Sequence, residues 1–227
     1  MKVHSEEPRS RRDRPAKPPL TRAGIVAAAV AIMGAEGLPK VTMRRLAQDL
    51  DTGPASLYVY FRNTAGLHAA ILDELLGTIP PPITGDWRDR LERMLTDYTL
   101  MLFRHPSLAR SALVTRPSGE HYMSLVETLL ALLDEGSVPP GQAAWGLDVL
   151  LQFGTATAAE QGTREASLDA DDEWDALIGT VRGTTSATHP HVAALAGQLV
   201  SGTPEQRLSW GFRTLINGIS ATPIPEA

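Results

Sequence analysis

The 227-residue sequence contains no cysteine, which excludes disulfide bonds, thiolate metal sites and cysteine nucleophiles. Apolar runs are short: the longest, residues 25–33, falls far below the about 20 residues that a membrane-spanning helix needs. The first twenty residues are charged and proline-rich and have no apolar region of a signal peptide. We therefore expect a cytoplasmic protein with no membrane partner.

Motifs for enzymatic chemistry are also missing. The patterns G-x-S-x-G, H-E-x-x-H and the phosphate-binding P-loop do not occur, and the six histidines are scattered along the chain. The close pair His189 and His191 is better explained by a surface turn than by a metal site. The sequence thus predicts no catalytic residue, no metal site and no cofactor.

Charge is distributed unevenly along the chain. The net charge is −5, yet residues 1–66 hold eleven Lys/Arg and six Asp/Glu (+5), and residues 67–227 hold ten and twenty (−10). A basic head on an acidic body suits a protein that contacts phosphate at one end only. Residues 1–19, with six Lys/Arg and four prolines, are interpreted as a flexible basic arm that adds phosphate contacts. A merely solvated tail is the alternative.

Residues 20–66 have the pattern of three short helices. The first begins after Thr21 and ends at Gly37, which suits a left-handed cap. The second begins after Thr42, and a tight turn at Gly53 leads into a third helix from Pro54 to about residue 61. Two short helices joined by a tight turn indicate a helix-turn-helix DNA-binding domain.

Residues 67–227 are predicted to form a larger helical domain without strands. Apolar residues recur at helical spacing in segments near 64–77, 87–102, 119–135, 142–161, 192–200 and 204–217. The acidic and polar segment 163–188 is predicted to be a mobile loop. The fold class is therefore all-α: a three-helix N-terminal domain followed by a helical domain for ligand binding and dimerisation.

Two stretches of the head resemble a known family. Residues 42–50 (TMRRLAQDL) and 55–67 (ASLYVYFRNTAGL) are similar to the tetracycline-repressor (TetR) family of bacterial regulators. A weaker likeness continues through Thr115-Arg116-Pro117 and residues 212–218. The resemblance implies a dimer whose heads bind double-stranded operator DNA and whose bodies bind a small-molecule effector.

Ten residues of the head are predicted to contact DNA. Thr42 caps a helix whose first amides form an anion site, and exposed tyrosines suit phosphate and sugar contacts. The resemblance implies that residues 54–56 and 59 face the major groove, and that Thr64 replaces a phosphate-binding lysine. The predicted DNA-binding residues are Thr42, Arg44, Arg45, Pro54, Ala55, Ser56, Tyr58, Val59, Tyr60 and Thr64.

The body is expected to hold a largely apolar ligand cavity with a few polar groups. Its predicted lining residues are Tyr98, Leu102, Thr115, Arg116, Met123, Trp145, Gln152, Phe153 and Glu160. The resemblance implies that helices near 142–161 and 204–217 pair across the dimer. The predicted interface residues are Leu147, Leu151, Phe212 and Ile216.

The resemblance also bears on the effector, because tetracycline repressors bind a magnesium–drug chelate through two histidines. Those positions fall near Ile79-Pro80 and at Ala112 in this chain, and neither provides an imidazole. Glu160 stands where the family has a carboxylate that reaches the ion through water, and one such acid cannot hold Mg²⁺. We expect a largely apolar effector that binds without metal.

The predicted function is a ligand-responsive transcriptional regulator, a repressor that a small molecule releases from its operator. Two alternatives stay open at this point. One is a constitutive dimeric DNA-binding protein without an effector. The other is an enzyme that carries a helix-turn-helix head, and the missing nucleophile, metal cluster and phosphate loop count against it.

Overall fold

The structure is a computed structural model that describes residues 19–115, 117–164, 167 and 169–226. In these residues the chain forms eleven α-helices and one short 3-10 helix, without strands. The helices are α1 (Arg22–Glu36), α2 (Met43–Asp49), α3 (Pro54–Tyr58), α4 (Thr64–Leu76), α5 (Trp87–Phe103), α6 (Pro106–Ala112), α7 (Glu120–Glu135), α8 (Pro140–Arg164), α9 (Ala170–Arg182), α10 (Pro190–Leu199) and α11 (Pro204–Ala221). The predicted all-α class is confirmed.

Side-chain caps begin the helices of the head, the name that we use for residues 20–66. The Thr21 hydroxyl accepts a hydrogen bond from the Gly24 amide, and the Thr42 hydroxyl accepts one from the Arg45 amide. Gly37 ends α1 with a φ of 84°, a left-handed conformation that glycine adopts without strain. The predicted starts of α1 and α2 are therefore confirmed, whereas α3 is shorter than predicted.

The head shares its core with α4. Ile25 of α1, Leu46 of α2 and Leu57 of α3 are fully buried, as are Leu67 and Ile71 of α4. The same apolar cluster continues from the head through α4 into the body.

The long helix α8 lies at the centre of the body and packs against α5, α6, α7 and α11. Two glycines allow this close packing. A Cβ at Gly154 would lie 2.6 Å from Thr99 Oγ1 of α5, and one at Gly162 would lie 2.5 Å from the Pro106 Cβ of α6. The inward face of α8 is therefore built from small residues.

Two helices were not expected from the sequence. The prediction that residues 163–188 form a mobile loop is wrong for α9. Acidic residues 171–173 lie in the first turn of this helix, where their negative charge interacts favourably with the positive end of the helix dipole. No helix was predicted between residues 102 and 119, but α6 lies there, and Pro106 occupies its first turn, where proline is well tolerated.

Helices α9 and α10 form a hairpin that packs chiefly on itself. None of their described residues is fully buried. In the part of the chain that the structure describes, no helix is both long and apolar enough to cross a membrane.

Candidate DNA-binding surface and effector domain

The α3 face, which we define as Pro54, Ala55, Ser56, Tyr58 and Val59, is exposed on the head. Leu57 turns inward and is fully buried, while Val59 and Tyr58 expose 81% and 55% of their surface. The exposed valine and tyrosine offer apolar surface that a partner can cover. The α3 face therefore has the shape and chemistry of a recognition surface.

The two arginines at the start of α2 differ in their surroundings. Arg45 Nη2 lies 2.9 Å from Glu36 Oε1 and Arg45 Nη1 lies 3.3 Å from Asp49 Oδ1, so its guanidinium joins α2 to the end of α1. Arg44 is exposed. Of the two predicted DNA contacts, Arg44 is the one whose charge lies at the surface, and Arg45 is held within the head.

Tyr60 also has a partner inside the head. Its hydroxyl donates to the carbonyl oxygen of Leu20 at 2.5 Å, and the Arg22 guanidinium lies over the adjacent Phe61 ring at 5.2 Å. Because the hydroxyl proton is used here, it is not free to be donated to a phosphate. Tyr60 therefore ties the end of α3 to the residues that precede α1.

The first turn of α4 contributes backbone amides and the Thr64 hydroxyl to this side of the head. The Asn63 side chain accepts a hydrogen bond from the Gly66 amide at 2.8 Å, and Thr64 is exposed at the first helical position. Amides at the start of a helix attract anions. Thr64 therefore lies at a phosphate-compatible position, with a hydroxyl and no charge.

The predicted ligand residues of α5 lie in the apolar core. Leu102 is fully buried, and the buried Tyr98 hydroxyl lies 2.6 Å from Thr155 Oγ1 of α8. Burial raises the pKa of Tyr98 to about 12. Close by, the rings of Phe153 and Phe212 meet edge to face at 5.1 Å. Tyr98 and Thr155 form a polar pair between the two helices.

The other predicted ligand residues are not brought to this pair. Met123 and Trp145 are 56% and 60% exposed, Gln152 is exposed as well, and Glu160 forms an exposed ion pair with Arg164. The physical reason lies in α8, whose buried side consists of Leu150, Leu151, Thr155 and several glycines and alanines, whereas Trp145, Gln152 and Glu160 face outward. Thr115 is half-buried in the segment between α6 and α7, and Arg116 lies outside the described residues.

The structure has an open, polar depression between α5 and α11, but it is not the predicted ligand site. It has a volume of about 350 Å³ and is lined by Thr84, Gly85, Asp89, Glu92, Arg93 and Arg213. None of these residues was predicted to bind ligand, and their charges do not suit an apolar effector. The predicted ligand set thus does not form one cavity in the structure.

Three of the four predicted dimer residues are buried within their own protomer. Phe212 is fully buried, Ile216 and Leu151 are nearly so, and only Leu147 is half-buried. The prediction that these three residues contact the second subunit is wrong, because the apolar sides of α8 and α11 pack in the core of their own protomer. The large exposed apolar residues of these helices are Trp145, Val149 and Trp210.

The exposed stripe of α8 follows a helical spacing of four, three, four, four and three residues. Its members are Trp145, Val149, Gln152, Ala156, Glu160 and Thr163. Such a stripe lies along one side of a helix. We use the name α8–α11 face for this stripe and the exposed Trp210 of α11, the helix that packs against α8.

Two polar contacts were not predicted from the sequence. Thr155 is buried beside Gly154, and a threonine within the small-residue face of α8 was the available signal. Asp73 of α4 accepts a hydrogen bond from the Tyr122 amide at 2.9 Å and so caps α7, whose N-cap residue, Gly119, has no side chain. A glycine at the start of a helix was the signal in that case.

Comparison with known proteins agrees with this architecture. Residues 25–71 match the model described as bacterial regulatory proteins, tetR family, and residues 79–222 match the tetracyclin repressor-like C-terminal domain. The chain belongs to the TetR family. The predicted class, a ligand-responsive DNA-binding transcriptional repressor and not an enzyme, is thereby confirmed.

Individual relatives cover most of this TetR-family chain. The transcription regulator SCO7704 from Streptomyces is 55% identical over 93% of this chain and 100% of its own, with a TM-score of 0.78. ActR of Streptomyces coelicolor, solved in complex with actinorhodin, is 35% identical over 90% of this chain and 97% of its own, also with a TM-score of 0.78. The transcriptional repressor DrrR1 of Streptomyces coeruleorubidus is 26% identical over 89% of this chain and 78% of its own.

Proposed function

We propose that residues 20–66 bind one operator half-site through the α3 face and that residues 67–227 bind the effector and the second subunit. The observation that carries the DNA proposal is the exposed, uncharged α3 face beside the Thr42-capped start of α2. In the major groove, Ser56 offers a hydrogen-bonding hydroxyl, and Ala55 and Val59 offer contacts for thymine methyl groups. The regulator then acts in the cytoplasm, where operator DNA is accessible.

Duplexes selected from a random library test the DNA proposal. We expect the full chain to prefer a selected duplex over a scrambled one in fluorescence anisotropy, and Ser56→Ala to change the selected sequence. Thr64→Lys is a gain-of-function control: it adds one phosphate contact per subunit and should raise the salt slope by about 1 for each. A chain that binds selected and scrambled duplexes equally well would contradict the proposal.

The homodimer is proposed to form through the α8–α11 face. Trp145 and Trp210 expose large aromatic areas, and tryptophan is the residue that most often anchors an interface. A twofold axis would bring each face against its copy and would set two α3 helices about one DNA turn, or roughly 34–36 Å, apart. Light scattering should report twice the 24.4 kDa chain mass.

The effector is proposed to bind between α5 and α8, at the Tyr98–Thr155 pair. This pair is a hydrogen-bonding group within an apolar core, which is the composition of a small-molecule site. The likeness to ActR, which was solved with actinorhodin, supports an organic effector. The core is closed around the pair, so the effector must separate α5 from α8 as it binds.

A thermal-shift experiment with actinorhodin as the probe tests the effector proposal. We expect a rise in melting temperature that EDTA does not abolish, because bound ligand stabilises the folded state. Tyr98→Phe should reduce the shift, and Asp97→Asn, at the exposed neighbouring position of α5, should not. A shift seen with tetracycline and lost on removing Mg²⁺ would instead indicate a metal-dependent site.

We propose that α4 transmits effector binding to the head. Asp73 joins α4 to the start of α7, and His68 Nδ1 of α4 lies 3.4 Å from Ser111 Oγ of α6. Any movement of α6 or α7 around an effector therefore acts on α4. Since α4 shares its core with the head, the spacing of the two α3 helices would change and operator affinity would fall.

A further inference from the structure

Two contacts fix the start of α1 to the end of α3. The Tyr60 hydroxyl donates to the Leu20 carbonyl oxygen at 2.5 Å, and the Arg22 guanidinium lies over the Phe61 ring, 5.2 Å from the ring centre. Tyr60 and Phe61 directly follow Val59, the last residue of the α3 face. The side chain of Arg22 therefore lies beside the α3 face.

The contact with Phe61 leaves the hydrogen-bond donors of Arg22 unused. Phe61 is buried and Arg22 is exposed. A cation over an aromatic ring is attracted by the π electrons of the ring and needs no hydrogen bond to stay there. In the described part of the chain, no residue forms an ion pair or a hydrogen bond with this guanidinium. The ring thus holds the side chain while its N–H groups stay available to a partner.

Arg45 shows the opposite arrangement. Its guanidinium donates to Glu36 Oε1 at 2.9 Å and to Asp49 Oδ1 at 3.3 Å, so two carboxylates compensate its charge. The charge of Arg22 has no such compensation from a described residue. An uncompensated guanidinium attracts an anion more strongly and can offer it two parallel N–H groups.

We propose that Arg22 binds a phosphate of the DNA backbone at the edge of the major groove that α3 occupies. This inference rests on the proposed binding of the α3 face to that groove. Two sugar–phosphate backbones bound the groove, so a cationic side chain beside a helix in the groove lies next to a phosphate. The contact to Phe61 fixes this cation relative to α3, and the phosphate contact then sets how α3 lies in the groove.

A phosphate contact has a signature that a base contact lacks. Every duplex carries the same phosphates, so the contact adds affinity without adding preference for one sequence. It also releases counterions from the DNA, which makes the affinity depend on salt. Arg22 should therefore raise the affinity for selected and scrambled duplexes by the same factor.

Fluorescence anisotropy with the full chain at 50 and 200 mM salt tests the proposal. Each phosphate contact contributes about 0.9 to the slope of log affinity against log salt, so Arg22→Gln in both subunits should lower the slope by about 1.8. Over this fourfold rise in salt, the unmodified chain should lose about 12-fold more affinity than the variant. The ratio of affinities for selected and scrambled duplexes should not change.

Two further variants serve as controls. Arg22→Lys keeps the positive charge and should keep the salt slope, because a lysine ammonium also neutralises a phosphate. Arg182→Gln removes a positive charge at the exposed end of α9, far along the chain from the head, and should leave both the slope and the affinities unchanged. The melting temperature of each variant shows whether the fold is intact.

The outcomes separate this proposal from the one on which it rests. If the unmodified chain does not prefer the selected duplex, the proposed binding by the α3 face fails. If it does prefer that duplex but Arg22→Gln keeps the full salt slope, only the phosphate contact of Arg22 is overturned. A lower melting temperature with an unchanged slope would assign Arg22 a purely structural role, and a loss confined to the selected duplex would assign it a base contact.

Discussion

Trp210 and Phe212 lie two residues apart on α11 and point in opposite directions. Trp210 is 70% exposed, whereas Phe212 is fully buried against Phe153. Replacing each by alanine should therefore separate dimer formation from folding. Phe212→Ala leaves a cavity and should lower the free energy of unfolding by about 3–5 kcal/mol. Trp210→Ala should change protomer stability by about 0.5 kcal/mol or less.

The effect of Trp210→Ala on the dimer follows from its exposed area. A tryptophan buries about 200 Å², and 70% exposure in the protomer leaves about 140 Å² for a partner. At about 25 cal/mol per Å², complete burial contributes about 3.5 kcal/mol per tryptophan, and the twofold axis doubles it. If only half of this area is buried, the two tryptophans still contribute about 3.5 kcal/mol per dimer. Losing that contribution in Trp210→Ala raises the dissociation constant of the dimer roughly 300-fold.

Light scattering over a dilution series measures this directly. Trp210→Ala should move the mass from twice 24.4 kDa towards 24.4 kDa at concentrations where the unmodified chain is still dimeric. Urea unfolding at one high concentration should report the loss of stability in Phe212→Ala. A Trp210→Ala chain that remains dimeric throughout the dilution would refute the assignment of the α8–α11 face.

Three further changes have expected outcomes. Since the folded-state pKa of Tyr98, about 12, lies above its usual value of 10, its contribution to stability is complete below pH 10 and is lost as pH rises through 12. Tyr98→Phe should flatten this decline by up to about 2–3 kcal/mol in urea unfolding. Thr42→Ala removes a helix cap and should cost about 1 kcal/mol of stability and weaken operator binding, while Thr42→Ser keeps both. In Gly119→Ala the Cβ would lie 2.0 Å from Asp73 Cγ, so hydrogen exchange should show that the Tyr122 amide loses protection.

Local signals explain why the head was predictable. The caps at Thr21 and Thr42 are each satisfied by an amide three residues away, so sequence spacing contains the whole interaction. The bond from Tyr60 to Leu20 joins residues forty positions apart. Nothing in the spacing of α3 distinguishes a tyrosine that contacts phosphate from one that ties two helices together.

The body shows the limit of periodicity. An apolar stripe predicts that a helix buries one side. It does not indicate whether the residues that pack on that side belong to the same chain or to a partner. Trp145 was therefore expected in a ligand cavity, and Phe212 was expected at the dimer interface, whereas the first is exposed and the second is buried. Helix α9 was missed because its composition is acidic, although Trp174, Leu177, Ile178 and Val181 keep helical spacing.

The composition of the α3 face has a consequence for specificity. A bidentate contact from arginine, asparagine or glutamine discriminates against a wrong base by about 1–3 kcal/mol, and α3 contains none of these residues. Ser56 and the methyl groups of Ala55 and Val59 supply weaker contacts. In the proposed dimer, the remaining discrimination comes from the fixed distance between two half-sites. A monomeric Trp210→Ala chain should therefore lose sequence preference more than it loses general DNA affinity. Comparing selected and scrambled duplexes at equal salt measures both quantities, and an unchanged ratio would mean that α3 alone specifies the operator.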